Sequence, residues 1–264
     1  MYSQNELQNF NRAGVKIFSG GTTGKPKKIF RSPENLVRCN IIANEAQKIT
    51  RHSKIYTVCD MGHAGGMLAQ TLPGIGIGAS VEIEPFNAYK WCKKIKNYTH
   101  SHLTPGQAIA IMLTKNSKTL DLTNIWITCG SDRVTYSIIE WFIDRNASFL
   151  ANWGMSEVGP IAINKLFSTR NDLKDLKNDL STIGHSFTNF EQNNLKKLSA
   201  ETIKSDPLIP TIIGDKQYCE VEIQENRLYV RGEICIKSGW FNTNDLCRLI
   251  NGRFYYLGRN TNNF

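Results

Sequence analysis

The stretch Phe18–Lys28 reads FSGGTTGKPKK and follows directly on the apolar run Val15–Phe18. Its glycines let backbone N–H groups turn toward one point, its threonines add hydroxyl donors and its lysines add positive charge. Together they make a concavity suited to phosphate oxygens. The stretch is not the common nucleotide-triphosphatase loop, which needs G-x-x-x-x-G-K followed by Ser or Thr. Ser19 stands where the first glycine of that loop belongs, and Pro26 follows Lys25 with neither a hydroxyl nor an N–H. Phosphate held here is therefore held with a different geometry. A Gly/Thr-rich turn alone also reads as an ordinary surface loop, so its companions along the chain decide.

A chain of 264 residues, 41% hydrophobic and 21% charged, has the composition of a globular protein with a sizeable core, as one large domain or two small ones. The net charge of +9 is carried by scattered lysines (Lys25/Lys27/Lys28, Lys93/Lys94/Lys96, Lys196/Lys197) with no RNA-binding signature or zinc-finger spacing. It reads as a basic surface attracting anionic substrates, with no nucleic-acid partner. Seven cysteines without a C-x-x-C pair read as reduced, buried thiols in a cytoplasmic protein. No apolar segment approaches a membrane span, and the N-terminus lacks the apolar centre of a secretory signal.

Outward from the loop, Ser32-Pro33-Glu34 reads as an N-cap opening a helix to about Ile49. Short β-rich runs then alternate with helical ones. Strands are expected at Lys54–Cys59, Ser80–Glu84, Tyr98–Leu103, Ile125–Cys129 and Ser148–Asn152, and helices at Gly65–Leu72, Ala88–Ile95, Pro105–Leu113 and Tyr136–Arg145. The pattern predicts an α/β fold, a layered and mostly parallel sheet flanked by helices. After about Ser168, Arg170–Lys177 and Glu191–Asp206 read as surface helix or loop. Cys219–Gln224 and Arg227–Ile236 then flank a hairpin turn at Glu225-Asn226, and Arg253–Leu257 reads as another strand. The expected division is residues 1–168 as nucleotide- and acyl-binding core and 169–264 as a smaller β-rich part.

SGGTTGKPKK resembles the phosphate loop of the AMP-forming adenylate enzymes, which include acyl- and aryl-CoA ligases, luciferase and peptide-synthetase adenylation domains. The matching residues are Ser19, Gly21, Thr22, Thr23, Gly24, Pro26 and Lys27, while Gly20 and Lys28 depart from the usual pattern. Asn152–Pro160 (NWGMSEVGP) resembles the family's Y-G-M-T-E-x-G-P, and Gly239–Arg259 (GWFNTNDLCRLINGRFYYLGR) its G-W-F-x-T-G-D-L run ending in G-R. Arg231–Ile236 resembles a further G-E-I segment, and Asp60–Gly66 (DMGHAGG) the acyl-pocket region. The three specific motifs stand in the family's order.

The resemblance implies activation of a carboxylic acid by in-line attack on the ATP α-phosphorus, with pyrophosphate released. It implies that Ser19, Gly20, Gly21, Thr22, Thr23, Gly24, Lys25 and Lys27 grip the outer phosphates, with Thr23, Ser156 and Glu157 catalytic. Ser156 would meet the α-phosphate and Glu157 would hold Mg²⁺. Asn152, Trp153, Gly154 and Met155 would line the nucleotide, with the Trp153 ring against adenine. Gly130, Ser131 and Asp132 would form a turn beside it, Asp245 and Arg259 would meet the ribose, and His63, Gly65 and Gly66 would face the acid or thiol. Taken singly, Trp153 also reads as a core aromatic, Asp245 as a turn residue, Glu157 and Arg259 as surface charges and His63 as a turn residue.

The chain also departs from the family. The loop begins within twenty residues of Met1, and the chain stops five residues beyond Arg259. The resemblance therefore implies a minimal core without the usual N-terminal region or the mobile C-terminal domain, whose lysine has no counterpart here. Three readings follow: a compact adenylating enzyme, helped by a separate subunit or not; a non-catalytic ATP/AMP-binding module; and a degenerate fragment. Retention of Thr22, Thr23, Lys27, Glu157, Asp245 and Arg259 argues against the last. Surfaces left uncovered predict a homodimer or a heteromeric complex. The identity of the acid stays open, as does whether CoA accepts the acyl group.

Overall fold

The computed structural model describes residues 2–19, 27–182 and 210–259. The first helix, α1 (Gln4–Ala13), is opened by a reciprocal capping box between Ser3 and Glu6. Strands β1 (Val15–Phe18) and β2 (Lys28–Arg31) pair antiparallel around residues 20–26. Helix α2 (Pro33–Gln47) follows with the expected Ser32 cap and proline in its first turn.

From β3 (Lys54–Thr57) the chain enters a helix that starts as α3 (Ala64–Gly66), widens into a π-turn over Met67–Thr71 and closes as α4 (Leu72–Ile77). The expected helix at Gly65–Leu72 is thus longer: Pro73 has no N–H for the Ala69 carbonyl four residues back, and Gln47 Nε2 donates to that carbonyl instead, at 2.7 Å. Then come β4 (Ser80–Ile83), α5 (Ala88–Lys94), β5 (His100–Leu103), α6 (Pro105–Met112), β6 (Trp126–Cys129), α7 (Tyr136–Ile143), β7 (Ser148–Met155) and β8 (Gly159–Phe167). Helix α8 (Arg170–Thr182) ends this part. After residues 183–209, which lie outside the described residues and include most of Glu191–Asp206, come β9 (Thr211–Gly214), β10 (Lys216–Gln217), β11 (Glu220–Gln224), β12 (Arg227–Arg231), β13 (Phe241–Ile250) and β14 (Arg253–Arg259).

Seven strands form one mixed sheet in the order β10-β8-β7-β6-β5-β3-β4. The run from β4 to β7 is parallel, and β8 and β10 are antiparallel additions. The chain leaves β3 toward β4 on one side and returns to β5 on the other. Such a switch point opens a crevice outside the carboxyl ends of the strands. A second, antiparallel sheet runs β11-β12-β13-β14-β9. Its Glu225-Asn226 turn has both residues at positive φ, as a tight hairpin demands.

The two faces of the large sheet differ sharply. Tyr56, Leu103, Ile127, Cys129, Phe149 and Ala151 join an apolar core. On the other face Thr57 meets Thr71 at 2.9 Å, His100 Nε2 lies 2.9 Å from the Gln47 carbonyl, and Gln47 Oε1 accepts from Thr128 (2.6 Å) and Gln70 (2.9 Å). These polar groups are almost all buried, and pairing with one another offsets their desolvation.

The segment Arg170–Lys177 differs from its reading as plain surface. Leu173, Leu176 and Leu180 recur at helical spacing and enter the core, and Asp179 is fully buried. Asp179 accepts from Arg253 (2.5 Å), Tyr255 (2.6 Å) and Asn251 (2.8 Å), which clasps α8 to the β13–β14 hairpin. Burial alone would raise its pKa, yet the bonds from Arg253, Tyr255 and Asn251 outweigh it and hold the carboxyl below its ordinary value. Among the described residues no helix is long and apolar enough to cross a membrane.

Asp179→Ala leaves Arg253 and Tyr255 without their acceptor, so it should cost about 3 kcal/mol in urea denaturation at neutral pH. Because the folded pKa is lowered, that difference should fade as pH falls through the carboxylate range. A loss below about 1 kcal/mol would show the clasp to be an ordinary surface pair.

Candidate active site

Residues 20–26 lie outside the described residues, and with them the Gly20, Gly21, Thr22, Thr23, Gly24 and Lys25 of the sequence reading. Their neck is well defined. The Ser19 N–H donates to the Lys27 carbonyl at 2.9 Å, and the Lys27 N–H donates to Ser19 Oγ at 3.2 Å. One residue earlier, the Phe18 carbonyl gathers two side chains from distant segments. His63 Nδ1 lies 3.1 Å from it, and Ser156 Oγ lies 3.5 Å away. The Phe18 N–H in turn donates to the Gly62 carbonyl at 2.8 Å.

Each of these segments sits at the carboxyl end of a parallel strand. After β3, Asp60 Oδ1 accepts the Gly62 N–H at 2.7 Å and sets the turn carrying His63. Gly66 follows because a Cβ there would lie 2.2 Å from the Asp60 carbonyl oxygen. Gly65 packs on His102, which lies 3.4 Å from Cys59 Sγ through Nδ1. Burial lowers the His102 pKa to about 4 and pushes the Cys59 thiol up to about 12, so this pair stays neutral and is no nucleophile.

After β6 come Gly130, Ser131 and Asp132. A Cβ on Gly130 would lie 2.5 Å from the Asn152 carbonyl oxygen, and Ser131 takes a positive φ of 77°. Arg133 then stacks over Tyr256 and donates to the Leu257 carbonyl at 3.1 Å, tying this loop to β14.

After β7 the chain turns through Met155–Gly159 into β8, a strand the sequence reading did not separate from its motif. Gly154 admits no Cβ, which would lie 2.3 Å from the Gly159 carbonyl oxygen. The turn is anchored by Arg31, a residue the sequence reading passed over. Its Nη2 donates to the Ser156 carbonyl and its Nη1 to the Ile234 carbonyl and to Asn35 Oδ1, all at 2.6 Å. The Ile236 N–H donates to the Glu157 carbonyl at 2.9 Å. The available signal was the alternation in β2, where Ile29 and Arg31 share the buried face. Glu157 is half-buried, and its carboxylate forms no ion pair among the described residues.

Trp153, Asp245 and Arg259 form one cluster. The Trp153 indole N–H donates to Asp245 Oδ2 at 2.9 Å, and Arg259 Nε lies 3.4 Å from Asp245 Oδ1. Asp245 and Arg259 are direct partners across β13 and β14, and the Asp245 N–H donates to Thr243 Oγ1. Asn152 donates to the Pro160 carbonyl at 2.6 Å, which leaves its buried Oδ1 without a hydrogen-bond partner among the described residues. The structure therefore brings Ser19, Lys27, His63 and Ser156 to one point, and Trp153, Asp245 and Arg259 to another on the adjoining strands.

Residues 11–205 match the AMP-binding enzyme family, most of the chain. This protein is a member of the AMP-binding enzyme family. It is 28% identical over 149 residues to an indoleacetate–CoA ligase of Aromatoleum aromaticum, across 55% of this chain and 29% of the ligase. Its fold matches the o-succinylbenzoate coenzyme A synthetase of Bacillus subtilis in complex with ATP and magnesium ion, with a TM-score of 0.66 and 16% identity, over 92% of this chain and 49% of that one. It also matches the N-terminal domain of FACL13 from Mycobacterium tuberculosis, with a TM-score of 0.67 and 13% identity, over 93% of this chain and 60% of that one. The chain thus spans well under two thirds of each of these proteins.

Asp245 is buried, which raises its pKa despite Arg259 and the Trp153 N–H. A raised carboxyl means that the folded state holds a proton the unfolded chain has given up. Stability is therefore complete below the unfolded carboxylate range and falls as pH rises through the folded pKa. Asp245→Asn keeps an acceptor for the indole and removes the charge. It should raise the thermal midpoint at neutral pH and lose that advantage at acidic pH; a lower midpoint at neutral pH would show that the Arg259 pair outweighs desolvation.

Proposed function

We propose that this chain activates a carboxylic acid as its acyl-adenylate, using ATP and releasing pyrophosphate. The observation that carries the reading is the convergence at the neck of the Gly/Thr loop, where Ser156 and His63 both face the Phe18 carbonyl while Asp245 is held beside Trp153. A nucleotide laid across these groups would place its phosphates at the neck, its ribose against Asp245 and Arg259, and its base near Trp153 and the turn Gly130–Asp132. The unpartnered Asn152 Oδ1 is an acceptor of the kind an adenine amino group satisfies.

In this arrangement Ser19, Lys27 and the loop between them hold the outer phosphates, and the Ser156 hydroxyl donates to the α-phosphate. The glycines at 66, 130 and 154 allow close backbone approaches that a Cβ would block. A carboxylate oxygen then attacks the α-phosphorus in line, a P–O bond forms, and the bond to the β-phosphate breaks with pyrophosphate leaving. Both reactants are anions, so alignment and charge neutralisation dominate the barrier. Glu157 is a hard oxygen ligand whose carboxylate forms no ion pair among the described residues, which fits Mg²⁺; the ion would neutralise phosphate charge when bound. His63, Gly65 and Gly66 line the side from which the acid, and a thiol such as CoA, would approach.

A second reading is binding of ATP or AMP without turnover, because Ser156, Trp153, Asp245 and Arg259 would contact a resting nucleotide as readily as a reacting one. Acid-dependent exchange of labelled pyrophosphate into ATP separates the two. Catalysis predicts exchange with a suitable acid, lowered on the order of a hundredfold by Glu157→Ala. AMP binding with no exchange across a broad panel of carboxylic acids would leave the binding module as the function.

A further inference from the structure

Among the described residues, the buried groups that carry a formal charge are Asp179, Asp245 and Arg31. Asp179 faces Arg253, and Asp245 faces Arg259. Arg31 is fully buried and has no carboxylate within ion-pairing distance among the described residues. Its three short bonds all end on neutral oxygens: the carbonyls of Ser156 and Ile234 and the side chain of Asn35. Its Nε has no hydrogen-bond partner among the described residues. Burial lowers its pKa while the charge of Glu157, next to Ser156, pulls the other way, and a guanidinium keeps its proton throughout the accessible pH range.

A cation so placed is costly, and one that served only to tie strands together could be replaced by a neutral donor. Its position says what the charge is for. The backbone of Arg31 pairs with Val15, at the end of the hairpin away from residues 20–26. Its side chain nonetheless reaches the peptide of Ser156, whose hydroxyl stands at the neck of that loop. The positive charge is thus one residue removed from the point where phosphates are proposed to bind, in a medium that screens it poorly.

We propose that Arg31 is the positioning residue of the phosphate site, fixing the Ser156–Glu157 turn through the Ser156 carbonyl and favouring ligands in proportion to their phosphate charge. This rests on the reading that Ser156, beside the Ser19–Lys27 neck, receives phosphates. It adds that the discrimination of ATP from AMP and adenosine is set in part by a residue that touches none of them.

The test is calorimetric binding of adenosine, AMP and ATP, at one fixed low ionic strength, to the wild-type protein and to Arg31→Met and Arg31→Lys, with thermal melts of each. Arg31→Met should weaken ATP about tenfold, AMP less, and adenosine within about twofold. An equal loss for all three ligands, or no loss, overturns the proposal, because a purely structural role is blind to ligand charge. Arg31→Lys decides if the methionine variant does not fold. It keeps the charge but not the fork, so it should retain the preference for ATP over adenosine. Its pyrophosphate exchange should fall about tenfold in kcat with little change in KM for ATP. Loss of that preference in the lysine variant, or full turnover, also overturns the proposal. Wild-type protein that binds none of the three ligands would sink the nucleotide-site reading itself; wild-type binding with charge-blind variants sinks this inference alone.

Discussion

Because one guanidinium donates to the Ser156 carbonyl, the Ile234 carbonyl and Asn35, the β1–β2 hairpin, the β7–β8 turn and the segment after β12 cannot shift independently. These pieces come from the beginning, middle and end of the chain; among the described residues no strand pairing joins them, and the Ile236 N–H bond to the Glu157 carbonyl links the last two. Removing the guanidinium would take the donor from the Ser156 carbonyl and leave the Ile234 carbonyl with only the weak Cys39 thiol at 3.9 Å, which costs more than the bonds themselves contribute. The geometry of the loop neck depends on this cross-link. Ser19 and Lys27 close the neck, but Ser156 stands beside it only while its own peptide is held.

The rest of the candidate site follows from where parallel strands end. The turns after β3, β6 and β7 all lie at one edge of the sheet, where the connections diverge and leave a crevice. The second sheet contributes Asp245 and Arg259 from two paired strands, and Arg133 and Trp153 tie those strands to the first. Binding groups are thus mounted on rigid elements with secondary partners of their own, the condition under which charged side chains hold a ligand's geometry. The arrangement has a stability cost. Asp245 is buried with a raised pKa, and Asn152 Oδ1 has no hydrogen-bond partner among the described residues; a nucleotide bound as proposed would supply partners to both.

Much of this was legible in the sequence, for identifiable reasons. The Ser32-Pro33 cap, the β-rich runs and the Glu225-Asn226 turn are local signals, and the structure shows an α/β mixed sheet with a separate antiparallel one as expected. Ser156, Asp245 and Arg259 were singled out because they sit inside spaced motifs, and the structure sets Asp245 beside Arg259 and Trp153. What could not be read was set by contacts between distant segments. Arg31 looked like one more basic residue, since its burial depends on the Ile234 segment roughly two hundred positions away in the chain. Helix α8 looked solvated because its charges outnumber its leucines, although three of those leucines fall on one face. The strand β8 starts on the last two residues of a motif quoted for its chemistry, and it is buried almost throughout, so no alternation marked it.

A crystal structure of the protein with AMP bound tests whether three separated stretches surround a single adenine nucleotide. In the proposed arrangement phosphate density lies against Ser156 and the Ser19–Lys27 neck, the ribose hydroxyls on Asp245, and the base between Trp153 and the Gly130–Asp132 turn. AMP ordered elsewhere on the surface, with Ser156 and Asp245 untouched, would contradict it.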